Sequence, residues 1–154
     1  SATIYLLGVT VQHTDIVTIA KAKAALERIT AMNHEFLTHA KAHATPHNIP
    51  SSLQILGDDL AIDCFGHVAI AKPRPICTSN KNYCMEYVFT VPFGERMIEV
   101  TRFYLSEVGL ILDDPTAQIS VCDYNNTQIA WHLCGRALLG FLASPLMAPA
   151  QIQR

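Results

Sequence analysis

Three groups of side chains in the 154-residue sequence have types and spacings that chemistry could use. The first is Glu35, His39 and His43, which recur every fourth residue with His34 beside them. On a helix that spacing stacks the side chains on one face, and imidazoles at i and i+4 can share a metal ion. Ala40, Lys41 and Ala42 lie between the two histidines, so no general base is placed there. Zinc would need further ligands, from His47 or a cysteine. Histidines near a helix end also suit its negative dipole. The expectation is therefore no metal and no cofactor, with Glu35, His39 and His43 the only metal candidates.

The second group is Gln128, His132 and Arg136, again four apart. Arginine can hold an anion through two bonds, and histidine titrates near neutral pH. Together they could bind a carboxylate or phosphate in a pocket beside the sheet; the plainer reading is a wet edge, or interchain salt bridges to the Asp113-Asp114 turn or to Asp123. The third group is Arg102, Tyr104 and Tyr87. Strand alternation puts Ile98, Val100, Arg102 and Tyr104 on one face. If that face is inside, Arg102 is a core charge that must be paired or meet a ligand. Tyr87 and Tyr104 would then line the same cavity. These six residues are the ligand-binding candidates.

No residue earns a catalytic role. Cys134 and His132 are two apart, which on a helix sets them roughly 200° apart. Cys64 and His67 flank a turn and read as ordinary structural residues. The Asp58-Asp59 and Asp113-Asp114 pairs read as turn chemistry. No G-x-S-x-G, P-loop or dinucleotide fingerprint is present. An enzyme is the less favoured reading.

Composition narrows the class. Hydrophobic residues are 50% and charged residues 16%, against about 25% charged in average chains. A disordered segment needs the opposite balance. The net charge of -2 argues against a broad nucleic-acid surface, which wants a basic excess. No apolar run reaches the roughly 20 residues of a membrane span. The opening residues lack the basic lead-in of a signal peptide. Five cysteines are an odd number for a paired framework, although Cys77 and Cys84 could bridge a loop neck. Free thiols in a cytoplasmic protein are expected.

The elements that position these groups can be read from periodicity. Ile4 to Val11 is predicted as one buried strand. A long helix follows from a cap at Thr14 or Asp15 to about His43. Its broad apolar face carries Ile19, Ala22, Ala25, Leu26, Ile29, Met32, Phe36, Leu37 and Ala40. Alternating strands with turns at Gly66, Gly94 and Gly109 then predict an antiparallel meander. A final helix is predicted from Asn125–Thr127 to about Ala143, with an extended tail from about residue 145.

The whole is an α+β fold in one domain, residues 1–154: an antiparallel β meander packed by a long N-terminal helix and an apolar C-terminal helix. In layout alone it resembles the cystatin-like and NTF2-like folds, and layout does not give function. The final helix is apolar nearly all round, so a single sheet cannot cover it. Trp131, Leu138 and Leu142 would be left for the first helix or for a second copy to hide. The expected function is a non-catalytic homo-oligomeric protein-interaction module, a homodimer or larger, with a further protein as a second partner. The alternative is a pocket protein that binds a small apolar or anionic ligand.

Overall fold

The computed structural model describes residues 4–6 and 9–147. Strands β1 (Ile4–Leu6) and β2 (Val9–Val11) pair antiparallel as a ladder of their own, with Ile4 opposite Val11. The sequence predicts one strand here. Gly8 lies between the two strands in the sequence, a turn signal that the otherwise apolar run masks.

Helix α1 (His13–Ala42) is 30 residues long, about 45 Å at 1.5 Å per residue. Its start is held by the Asp15 carboxylate, which accepts the Gln12 N–H at 2.9 Å. At its end, the His43 N–H donates to the carbonyls of His39 and Ala40 at 3.1 and 3.2 Å. Ala25, Ile29, Asn33, Phe36, Leu37 and Ala40 are buried, a spacing of three and four that marks one face. All but Ala25 lie in the second half. Between His13 and Ala24 every side chain is exposed except the half-buried Ala22.

The main sheet contains β3 (Leu53–Leu56), β4 (Asp59–Cys64), β5 (His67–Ala71), β6 (Arg74–Cys77), β7 (Tyr83–Phe93), β8 (Arg96–Ser106), β9 (Leu110–Leu112) and β10 (Cys122–Asp123). Its order is β10-β9-β8-β7-β5-β4-β3, with β6 also on β7, and every pairing is antiparallel. Ile70 faces Thr90 and Arg74 faces Glu86. β5 and β6 thus keep one register on β7 and form a single ribbon broken at Lys72-Pro73, where proline has no N–H to give. In the β4–β5 turn Phe65 and Gly66 have φ of 53° and 89°. Positive φ at both central residues fits the right-handed twist of a two-residue hairpin.

The β7–β8 ladder holds a bulge. Phe89 faces Thr101, but Thr90 faces Glu99, so Val100 is the extra residue. The bulge reverses the alternation. Ile98 and Val100 point into the core as the sequence predicts, but Phe103 and Leu105 join them there. Arg102 and Tyr104 are turned to the opposite face.

The core is filled by aromatic rings. Tyr87 stacks on Phe103 at 4.7 Å and 9°, and Phe36 of α1 meets both edge-on at 5.8 and 5.7 Å. Helix α2 (Ile129–Leu142) and a 3₁₀ turn (Pro145–Met147) complete the described chain. The tail therefore begins with a helical turn, not an extended segment; its last residues lie outside the described residues. Helix α2 buries Ile129, Ala130, Leu133, Cys134, Ala137, Leu138 and Phe141. The chain itself thus covers Leu138. Trp131, Leu139 and Leu142 stay exposed, at 46%, 69% and 48%.

Candidate functional site

The bulge decides the surroundings of Arg102. Its guanidinium grips both oxygens of Glu99, with Nε to Oε2 at 2.8 Å. It also donates to the Tyr104 hydroxyl at 3.2 Å and lies 3.7 Å from Glu86. Glu86 is nearly buried, and its Oε1 accepts two bonds from Arg74 at 3.2 and 2.7 Å. The Arg102 bonds hold the Glu99 carboxyl below the usual carboxylate range, and Glu99 followed by Tyr104 raises Arg102. This ion-pair network edges an open groove of about 760 Å³ on the outer sheet face, beside Ile70, Val88 and Met97.

Tyr87 is on the other side of the sheet. Its hydroxyl donates to Asn33 Oδ1 in the interior, and burial pushes the phenol above its ordinary range. The structure therefore brings Arg102 and Tyr104 together and separates Tyr87 from them.

The Gln128, His132 and Arg136 stripe is likewise divided. Arg136 is ion-paired to Asp113 of the same chain. His132 is half-buried, with its ring edge-on to Trp131 at 5.1 Å. Gln128 is the N-cap of α2 and lines a different space, a cavity of about 690 Å³ between the end of α1 and the start of α2.

His39 and His43 do stack, at 4.4 Å between ring centroids. His39 Nε2–H donates to the Asn126 carbonyl at 2.9 Å, which commits that nitrogen. Glu35 faces away, along the exposed side of α1. Among the described residues no three His, Cys, Asp or Glu side chains cluster as metal ligands would.

All five cysteines are free thiols. Cys77 faces Tyr83 and Cys84 faces Ile76, so the two are one step out of register and project to opposite faces. Burial pushes the Cys64 and Cys134 thiols up to about 11 and about 12. Neither is a ready thiolate nucleophile. Cys64 does stand opposite His67, but that ring packs on Phe141 at 5.2 Å.

A larger and more apolar feature lies elsewhere. A shallow groove of about 990 Å³ runs along α1 from Ile19 to Glu35, floored by Ala22, Leu26 and Ala31. Ile19 is 62% exposed and Leu26 37%. The sequence assigns both to the buried face. The apolar stripe of α1 is wider than the sheet beneath it, and a helical wheel gives its width without saying which edge is covered. Among the described residues no helix is long and apolar enough to cross a membrane.

No family model matches the chain, and no curated protein or solved structure is significantly similar to it.

Proposed function

We propose that this chain is a non-catalytic homo-oligomeric interaction module, with the exposed face of α1 as the contact between copies. One observation carries the reading. The first twelve residues of α1 leave Ile19 at 62% exposure in line with the groove at Leu26, Ile16 at 57% on its flank, and Val17 at 43% on the opposite side of the helix. A helical segment of that length is marginal in water without packing. Burying the rest of Ile16, Ile19 and Leu26 would contribute about 2–5 kcal/mol per copy, a sizeable share of the stability of a whole domain.

Charge favours a second copy as the occupant. Lys23, 3.8 Å from Glu27 in an exposed pair on its own helix, stands near one end of the groove and Glu35 at the other. An antiparallel copy, related by a two-fold axis, sets each lysine against the opposite glutamate. The same pairing encloses the small residues Ala22 and Ala31, which allow close helix approach. Five free thiols fit a cytoplasmic setting.

Light scattering tests this. The expected result is a dimer or larger at micromolar concentration, and a folded monomer for the Ile19→Glu, Leu26→Glu double variant. A monomeric parent would overturn self-association and leave a different protein as the occupant.

A further inference from the structure

We propose that the cavity between the end of α1 and the start of α2 binds a small anion joined to a flat ring, the chemical class of a mononucleotide. The cavity holds about 690 Å³, within the range of small-molecule sites and far larger than a bare anion needs. Its walls carry one formal charge, that of Lys41. Lys41, His43 and His47 line it, and no aspartate or glutamate does. The chain as a whole carries 13 acidic residues against 11 Lys and Arg, so this wall departs from the average.

Three further observations bear on the ligand. Gln128 lines the same cavity, and its side chain caps nothing in α2. Its amide is free to bond a ring or a phosphate oxygen. Trp131 lines the cavity about one turn along α2 from Gln128, at 46% exposure, which offers an indole surface for stacking. The walls are also tied together. His43 stacks on His39 at 4.4 Å, and His39 bonds the Asn126 carbonyl at 2.9 Å, just before α2. A cavity whose walls are already joined loses less freedom when a ligand enters.

The test uses a built-in reporter, because Trp131 is the one tryptophan in the sequence. The full chain is titrated with adenosine 5′-monophosphate, with adenosine and with inorganic phosphate, and its fluorescence is followed. The monophosphate is expected to give a saturable change, with adenosine and phosphate each weaker by about tenfold or more. The Lys41→Ala, His47→Ala double variant changes two exposed side chains and is expected to bind about tenfold more weakly while its circular dichroism is unchanged. Calorimetry on Trp131→Ala is expected to show a similar loss. No saturable change with the monophosphate overturns the site. Equal binding of adenosine removes the anion, equal binding of phosphate removes the ring, and an unweakened double variant removes this location.

Discussion

Gly140 of α2 lies directly against the peptide carbonyl of Val100 in β8. A Cβ on Gly140 would overlap the Val100 oxygen and stand 2.7 Å from its carbonyl carbon. Val100 is also the extra residue of the β7–β8 bulge. Helix and sheet thus meet backbone to backbone at the place where the strand changes phase, and that phase sets Arg102 and Tyr104 on the outer face.

Gly140→Ala is expected to destabilise the fold. Alanine gains about 1 kcal/mol of helix propensity over glycine. The overlap is with backbone atoms that cannot rotate aside, and overpacking costs about 1–3 kcal/mol and occasionally more. The cost should win, and the denaturant midpoint should fall. A midpoint that rises would mean that α2 sits farther from β8.

Tyr87→Phe tests the interior hydrogen bond. The ring stack on Phe103 survives, but Asn33 Oδ1 loses the hydroxyl that satisfies it. A buried acceptor left without a donor costs about 1–3 kcal/mol. Urea unfolding of the two proteins measures the difference, and no loss would mean that Asn33 finds another donor.

Arg102→Ala is expected to cost less than about 1 kcal/mol. The side chain is 42% exposed, and pairs in that setting are screened. Glu86 keeps its two bonds from Arg74. Breaking a pair in the core would instead cost about 3–5 kcal/mol. A loss of that size would place Arg102 inside.

Alkaline pH should weaken the fold. Burial lifts the Cys64, Cys122 and Cys134 thiols from their ordinary 9.0 to about 11, about 11 and about 12. In the unfolded chain these thiols ionise near their ordinary value, so above it the unfolded state holds fewer protons than the native one. Stability is then complete below pH 9 and declines as pH rises toward 12. Denaturant melts from pH 8 upward, in reducing buffer, check the slope. Cys134→Ala should flatten it, and an unchanged slope would assign the effect to other groups.

The element order was legible because local rules agree over most of the chain. Period-two alternation around Gly66, Gly94 and Gly109 marked the hairpins, and the spacing from Ala25 to Ala40 marked the buried part of α1. The bulge at Val100 was not legible. One inserted residue leaves no signal in composition or turn chemistry, yet it reverses every later side chain on the strand. The condition for a core charge at Arg102 is not met, because the reversed face sets it outside, where it pairs with Glu99 and Glu86. The cavity at the helix ends joins residues 41–48 to residues 127–131, and no local pattern links segments so far apart. Gln128 was singled out, but with neighbours on its own helix instead of those across the gap.

The rims of the sheet carry one more implication. β10 has two residues, β3 has four, and β6 has four with Pro75 among them, while β8 pairs with β9 only at Tyr104 and Leu105. Short and proline-bearing margins give a stranger's backbone little to zip onto. Any fibril formed on crowding should therefore start from the stretch of β8 before Tyr104, and a fibril-sensing dye followed against concentration reads whether it does.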